Sequence, residues 1–435
     1  MEKPLHTPTH EATPSADEPA SSREGAPPKT TRATSDDGPS PSRSFAAVAR
    51  RAWRDPAVRA ALYVFALTRL FVFAVLVLGG QVGHVMSGSY QTTRDFHLEL
   101  GRVPVARLLR ENVQVADINW YHGIAENGYE RRPFTADQPR NWAFFPLFPL
   151  LWREAARLTG EMVVTGVLLS NLFFFAALVL LYKTARAFGL DDPDARRALF
   201  YLGVFPVSYF FSLPLTESLF LLLTVGSFYA ARRERWWLAG LCGALASATR
   251  VTGVLLLPAL LLLHWQQHGR DWRRASLLGP ALVPAGLLSF MYFLYVTTGN
   301  PLAFKDILVT WGRSTGLFLV PLWQFLARPG LLAIPWDFKP LNFAAAVLAL
   351  ACGVVLLRRR QWALACYTLT SVVVALSSLL LQSQARYAMV LFPVYMVLAT
   401  AGRRPRVDEI IRFAFVALFA VMLALFAAHF SLAMA

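Results

Sequence analysis

A few isolated ionisable residues lie at the ends of apolar runs in this chain. They are Asp117, Glu217, Arg250, Asp306 and Arg386. Ionisable side chains are costly at membrane depth, so residues of this kind are candidates for a functional site. A carboxylate can take a proton from a hydroxyl group, and guanidinium groups can hold the phosphate of a lipid. The set therefore suits chemistry that joins a phosphorylated lipid and a hydroxyl acceptor at one membrane face.

The composition excludes a soluble globular enzyme. Of 435 residues, 55% are hydrophobic and only 16% are charged, whereas about a quarter are charged in an ordinary soluble domain. Several apolar runs have about the twenty residues that a membrane-spanning helix needs. The net charge of +15 could suit nucleic acid. Its residues, however, form short clusters between the apolar runs, as membrane topology requires, so no nucleic-acid partner is expected.

We predict an all-α membrane protein with about eleven spans. Residues 1–45 are rich in Pro, Ser, Thr and Ala, which predicts a disordered tail, and residues 46–435 form one transmembrane domain. Two long loops, 81–161 and 299–340, separate groups of spans. The spans are predicted at 60–80, 162–183, 198–212, 216–231, 237–263 (divided in two near Arg250), 276–297, 341–357, 362–381, 387–402 and 410–432.

The orientation follows from the Lys and Arg residues of the short loops. Twenty of them fall on one side, and the opposite short loops hold only Arg250 and Arg386. Positive charge favours the cytoplasmic face. The N-terminus is therefore predicted in the cytoplasm, and both long loops on the outer face of the cytoplasmic membrane.

The first long loop carries the most informative motif. The stretch Asp117–Tyr129 predicts a short helix that stops at Gly128, with Asp117 and Tyr121 on one face. Asp117 could cap this helix or act as a base, and the two roles are compatible. The following Asn141–Leu150 is apolar, too short to span and interrupted by prolines, which predicts a re-entrant or interfacial segment.

Several short motifs together resemble the PIG-V-type mannosyltransferases, which are related to GPI mannosyltransferase 2 and belong to the GT-C class of multispanning glycosyltransferases. The motifs occur in the family's order between about residues 60 and 400. One departure is Val115-Ala116, because the family commonly has Trp directly before the loop Asp. The matching pieces are Asp117, Trp120-Tyr121, Ile124-Ala125, Gly128-Tyr129, Ala143–Pro149, Phe210–Phe220, Ala248–Gly253, Gly299–Phe304 and Arg386–Pro393.

The resemblance implies a GT-C-like bundle and an inverting transfer of mannose, or a similar hexose, from a polyprenyl-phosphate carrier to an acceptor hydroxyl. It places the general base at Asp117. A cation should stabilise the leaving phosphate, and Arg386 is the first candidate, followed by Arg250. Neither a metal nor another cofactor is expected beside the lipid-linked sugar. Weaker candidates for substrate contacts are Glu217, Tyr121, Trp120, Tyr387 and Asp306.

Other interpretations stay open at this point. The two arginines could reach the interface without touching substrate, and Trp120 and Tyr121 could anchor the interface. Glu217 could have no role beyond its favourable interaction with the dipole of its helix. The whole protein could be a lipid-linked sugar flippase or a secondary transporter, although the sequence shows no convincing internal repeat. Another lipid-linked sugar could serve as donor. The acceptor could be a glycan, a glycolipid or a protein.

Overall fold

The computed structural model describes residues 53–88, 104, 107, 110–111, 115–269, 275–334, 337–430 and 433. The predicted tail, residues 1–45, lies outside these ranges. The described chain is mostly helical. Its first nine α-helices are α1 Pro56–Gly88, α2 Asp117–Asn127, α3 Leu147–Thr159, α4 Met162–Ala187, α5 Asp192–Gly203, α6 Glu217–Arg232, α7 Trp236–Ser247, α8 Leu256–His268 and α9 Leu278–Ala281.

The second half of the chain adds eight α-helices and one small sheet. The sheet is an antiparallel pair, β1 Ala333–Ile334 and β2 Asp337–Phe338, with Ala333 opposite Phe338. Short 3-10 helices occur at Asn141–Ala143, Ser208–Ser212, Val251–Leu255, Ala275–Leu277 and Ile307–Trp311. The α-helices are α10 Ala285–Thr298, α11 Ala303–Asp306, α12 Val320–Ala327, α13 Lys339–Arg358, α14 Trp362–Leu376, α15 Gln384–Met389, α16 Phe392–Ala401 and α17 Pro405–Ala427.

Four helices are long and apolar enough to cross a membrane, namely α1, α4, α13 and α17. A fifth span is possible if Ala275–Ala281 and Ala285–Thr298, which meet at 44°, act as one broken span. Three further apolar helices, α7, α14 and α16, have 10–17 residues. The chain is therefore a multi-pass membrane protein, and the larger number of eleven spans stays a prediction.

Broken helices explain why several predicted spans are shorter in the structure. The predicted break near Arg250 is present, because α7 ends at Ser247 and α8 begins at Leu256. The predicted span 387–402 is divided into α15 and α16, with Pro393 in the first turn of α16. Proline cannot donate a backbone hydrogen bond and clashes with the preceding turn, so a helix is commonly broken there.

The centre of the bundle is formed by α6 and α16. Almost every residue of α6 and the first eight residues of α16 are buried. By contrast, α1 and α17 expose many large apolar side chains, as expected where a helix faces lipid. Helix α6 packs against α4 and α7, and α16 packs against α5. The first residue of α6, Glu217, is thus introduced into the interior of the protein.

Two helices of the first long loop pack against this bundle. Helix α2 begins at Asp117 and ends before Gly128, as the sequence predicts, and it packs on α3. Helix α3 packs in turn on α4, and Trp152 Nε1 donates to Met162 O at 2.7 Å. The prediction that Pro149 interrupts the apolar segment is wrong, because Pro149 lies in the first turn of α3. A helix tolerates proline there, since the first backbone N–H groups have no intrahelical partner.

Candidate active site

Arg386 joins two carboxylates that come from distant parts of the chain. Its Nη1 donates to Asp117 Oδ2 at 2.9 Å. Its Nη2 and Nε donate to Glu217 Oε1 at 2.7 and 3.1 Å. All three nitrogens of this guanidinium are thus engaged, and α15 connects the start of α2 with the start of α6.

Arg250 completes what we call the ion cluster, which consists of Asp117, Glu217, Arg250 and Arg386. Arg250 Nη1 donates to Glu217 Oε1 at 3.0 Å and to Thr216 Oγ1 at 3.3 Å. Both guanidiniums also lie over aromatic rings. The Cζ of Arg386 is 4.5 Å from the ring centre of Phe210, and that of Arg250 is 5.3 Å from Tyr387. Such cation–π contacts add attraction in a desolvated site.

The two carboxylates differ in their exposure. The Glu217 side chain is fully buried, with 0% exposed, whereas 44% of the Asp117 side chain is exposed. Glu217 also lies in the first turn of α6, where the helix dipole favours a negative charge. Its Oε2 atom has no hydrogen-bond partner among the described residues. Glu217 is therefore an internal anchor of the cluster, and Asp117 is the carboxylate that an external molecule can reach.

The backbone is strained where both partners of this ion pair enter the site. Ala116, directly before Asp117, has φ +48°. Ser383, directly before α15, has φ +62°. A non-glycine residue in this region costs about 1–3 kcal/mol and is typical of functional sites. Ala116, where this chain departs from the family motif, is thus a strained residue. Asp117 is the first residue of α2, and the N-cap position is occupied by Ala116.

Arg313 lies beside the ion cluster and was not predicted from the sequence. It comes from the second long loop, and its Nη1 donates to the hydroxyl of Tyr387 at 3.3 Å. Tyr387 and, more weakly, Asp117 raise the pKa of Arg313, so this guanidinium is charged. Within the described ranges no carboxylate pairs with it. Its loop carries no periodic pattern that would have placed it here.

Arg153 of α3 holds the far end of α2. Its Nε donates to Ala125 O at 2.6 Å, and its Nη2 donates to Ile124 O at 2.7 Å. The last carbonyl groups of a helix have no intrahelical donor, and a cation near them also interacts well with the helix dipole. Arg153 therefore fixes the helix that carries Asp117.

Arg69 is a third arginine that the predicted site did not include. Only 2% of it is exposed, and its guanidinium donates to Ser208 O at 2.8 Å and Ser212 Oγ at 3.1 Å. It thereby fixes the segment that carries Phe210, the ring beneath Arg386. In the part of the chain that the structure describes, no carboxylate pairs with it. A lone arginine inside an apolar run is the signal that could have identified it.

The weaker candidates for substrate contacts lie in different surroundings. Tyr121 is buried against Phe144 and Phe148, and burial raises its pKa. Trp120 stacks on Phe144 with ring centres 5.6 Å apart. Asp306 is not joined to the ion cluster by any described contact. It is exposed at the end of α11 and accepts a hydrogen bond from Asn300 Nδ2 at 2.9 Å.

The fold and the site together define a multi-pass membrane protein in which a carboxylate–guanidinium cluster joins the starts of α2 and α6 to α15. Such a cluster can bind an anion through guanidinium groups and accept a proton at a carboxylate. Among the described residues, no group of three or more His, Cys, Asp or Glu side chains could hold a metal ion.

The sequence of the central region identifies the related proteins. Residues 99–273 match the model of the family described as Mannosyltransferase (PIG-V). Two proteins of Cryptococcus neoformans var. neoformans serotype D, both named GPI mannosyltransferase 2, are 29% identical over 150 residues. That alignment covers 31% of this chain and 32% of each relative, so it spans about a third of their length. The resemblance to the PIG-V-type mannosyltransferases is thus confirmed for this region.

Solved structures that the chain resembles include an ArnT and an oligosaccharyltransferase. ArnT from Cupriavidus metallidurans bound to undecaprenyl phosphate is 14% identical, with a TM-score of 0.45, over 86% of this chain and 74% of that one. The Archaeoglobus fulgidus oligosaccharyltransferase in the apo form is 12% identical, with a TM-score of 0.42, over 83% and 55%.

Proposed function

We propose that this protein is an inverting glycosyltransferase of the GT-C class, which transfers mannose or a similar hexose from a polyprenyl-phosphate carrier to an acceptor hydroxyl on the outer membrane face. The observation that carries the proposal is the contact of Arg386 with both Asp117 and Glu217. The match to the mannosyltransferase family supports the reaction class. The relatives' name, GPI mannosyltransferase 2, supports mannose as the sugar.

In the proposed reaction, Asp117 takes the proton from the acceptor hydroxyl. The acceptor oxygen attacks the anomeric carbon of the sugar, and the bond between that carbon and the phosphate oxygen breaks. The electron pair leaves with the polyprenyl phosphate, and the configuration at the anomeric carbon is inverted. The proton remains on the carboxyl group of Asp117 until it is released to water. No general acid is needed if cations stabilise the leaving phosphate.

The charge of the site favours an anionic donor. Two carboxylates and two guanidiniums neutralise each other formally in the ion cluster. Arg313 adds one positive charge, which no described carboxylate compensates. The bridging diester phosphate of a polyprenyl-linked sugar carries one negative charge and would balance it. We therefore place the donor phosphate beside Arg313, Arg250 and Arg386, where charge-assisted hydrogen bonds are strong.

The reaction class can be tested with the purified full chain. It is incubated with polyprenyl-phosphate-mannose and a membrane extract, and the products are analysed by mass spectrometry. A parallel reaction with polyprenyl-phosphate-glucose serves as the comparison. A new species heavier by one hexose is expected with the mannose donor, together with free polyprenyl phosphate. If the lipid-linked sugar crosses vesicle membranes intact and no glycosidic bond forms, the protein is a flippase and the proposal is wrong.

The orientation needs a separate test. Asn119 is exposed on the helix that carries Asp117, so Asn119→Cys introduces a reporter next to the site. A membrane-impermeant maleimide should label this variant in intact cells without permeabilisation. Labelling only after the membrane is opened would place the site on the cytoplasmic side.

A further inference from the structure

A groove runs along α2, next to the residue proposed as the base. It encloses about 410 Å³, a volume within the range of small-molecule sites. We call it the α2 groove and define it by Trp120, Gly123, Asn127, Tyr129, Glu130 and Asn141. Trp120 lies three residues after Asp117, and residues three apart are neighbours on a helix surface. The wall of the groove at Trp120 is therefore adjacent to Asp117 on the surface of α2.

The floor of the groove is open because of a glycine. A Cβ atom placed at Gly123 would have no atom within 4 Å, so the space above it is free. Gly123 and Asn127 are four residues apart and therefore share this face of α2. The helix then ends at Gly128, whose φ of +81° turns the chain towards the opposite wall.

The opposite wall is held by fixed hydrogen bonds. Asn141 Nδ2 donates to Gly128 O at 3.1 Å, and Asn141 Oδ1 accepts from the backbone N–H of Glu130 at 3.2 Å. The indole of Trp142 donates to Glu130 O at 2.9 Å. These contacts fix both backbone groups of Glu130, so the wall is formed before any ligand arrives.

The side chains of the groove combine rigid aromatic rings with hydrogen-bonding groups. Trp120 is held by stacking on Phe144, and the hydroxyl of Tyr129 donates to Phe144 O at 2.5 Å. Glu130 remains 37% exposed, while Arg140 binds its Oε2 at 2.8 Å and offsets its charge. The amide of Asn127 is exposed and supplies both a donor and an acceptor.

Such a lining suits a neutral ligand that has both apolar C–H faces and many hydroxyl groups. A purely apolar ligand would displace water from Glu130 and Asn127 without offering them a new hydrogen bond, which is costly. An anionic ligand would find little cationic attraction here, because Arg140 is already paired with Glu130 and Asp137. A sugar ring meets both requirements, since its C–H face can lie on an aromatic ring while its hydroxyls bond to amide and carboxylate oxygens.

We propose that the α2 groove binds a neutral sugar residue of the acceptor and thereby presents the hydroxyl that is to be glycosylated to Asp117. The acceptor of this protein is accordingly a glycan or a glycolipid with an exposed neutral sugar, rather than an unglycosylated protein. This proposal rests on the proposed transfer reaction, but the binding of the sugar itself can be measured without turnover.

The first experiment measures binding to the detergent-solubilised full chain. Saturation-transfer difference NMR is recorded with mannobiose for the wild type, Gly123→Leu and Glu126→Leu. Leucine at residue 123 fills the open floor of the groove. Because leucine has a higher helix propensity than glycine, the substitution should not destabilise α2. Glu126 is an exposed neighbour outside the groove and provides the matched control. Saturation of the sugar protons is expected for the wild type and Glu126→Leu, and its loss for Gly123→Leu.

The second experiment separates this inference from the transferase proposal. Asp117→Asn should retain saturation transfer, because the groove does not need the base. Gly123→Leu should raise the KM for the acceptor glycan at least tenfold and leave the KM for the lipid donor unchanged. If the wild type gives no sugar signal, or if Gly123→Leu binds as well as the wild type, the groove is not a sugar site. If the sugar binds but no transfer occurs with any donor, the transferase proposal fails, whereas the assignment of the α2 groove as a sugar-binding site stands.

Discussion

The Asp117 carboxylate is bound to the same guanidinium that is proposed to receive the donor phosphate. Arg386 Nη1 donates to Asp117 Oδ2 at 2.9 Å, while its other nitrogens are held by the buried Glu217. An arriving phosphate must therefore compete with Asp117, since Glu217 has more contacts and no access to solvent. Displacement of Asp117 would free this carboxylate at the moment when the acceptor has to be deprotonated.

Asp117→Asn tests this competition. We expect turnover to fall at least about a hundredfold, as is typical when a general base is removed. The affinity for polyprenyl phosphate should rise, because the carboxylate no longer competes for Arg386. Steady-state transfer and equilibrium binding of labelled polyprenyl phosphate give the two values.

Glu154→Gln is the control for that variant. Glu154 is an exposed carboxylate of the same loop that pairs with Arg157 at 2.7 Å, and its loss should change neither value. Retained turnover in Asp117→Asn would exclude Asp117 as the base. A lower affinity for the lipid phosphate would show that Asp117 does not compete with it.

The members of the ion cluster could be selected from the sequence because each one stands at the end of an apolar run. Alternating positive loops assigned these ends to one face, and the structure brings Asp117, Glu217, Arg250 and Arg386 into contact. The break near Arg250 and the end of α2 at Gly128 were also predictable. Both depend on local signals, namely a polar interruption and a glycine that tolerates positive φ.

The pairing inside the cluster could not be predicted. Glu217 and Arg386 are 169 residues apart in the sequence, and no local pattern specifies that Glu217 binds both arginines. Arg313 comes from a loop without helical periodicity, and Arg153 resembles any other surface arginine of an amphipathic helix. Asp306 shows the opposite case. Asp306 is also a carboxylate near the end of a predicted span, but it lies outside the ion cluster because α11 directs it to Asn300.

Arg313 provides a test of the charge balance. Arg313→Gln should raise the KM for the lipid donor about tenfold or more, because one charge-assisted hydrogen bond contributes about 1.5–3 kcal/mol. The midpoint temperature of thermal unfolding should hardly change, since no described carboxylate loses its partner. Arg313→Lys keeps the charge and should recover part of the affinity. An unchanged donor KM in Arg313→Gln would remove this residue from the phosphate site.

Arg153 provides a test of how the base is positioned. Arg153→Met removes both donors to the end of α2 and keeps an unbranched apolar side chain of similar length. The amides of α2 should exchange faster with deuterium, and kcat should fall severalfold while the KM for the donor stays constant. The exposed Arg157 of the same helix supplies the control, as Arg157→Met should leave the exchange of α2 unchanged. Equal exchange in all three proteins would show that α2 is held without Arg153.

The buried pair of Glu217 and Arg386 predicts non-additive stability. Arg386→Gln leaves a fully buried carboxylate with Arg250 alone and should lower the free energy of unfolding by about 3–5 kcal/mol, the usual cost of breaking a buried ion pair. Glu217→Gln should also destabilise, because it removes the negative charge that the two guanidiniums share. The double variant should lose clearly less than the sum of the two, since each substitution removes the charge that the other leaves unpaired. Thermal or denaturant unfolding in one detergent measures all four proteins, and strictly additive losses would mean that the two side chains contribute to stability independently.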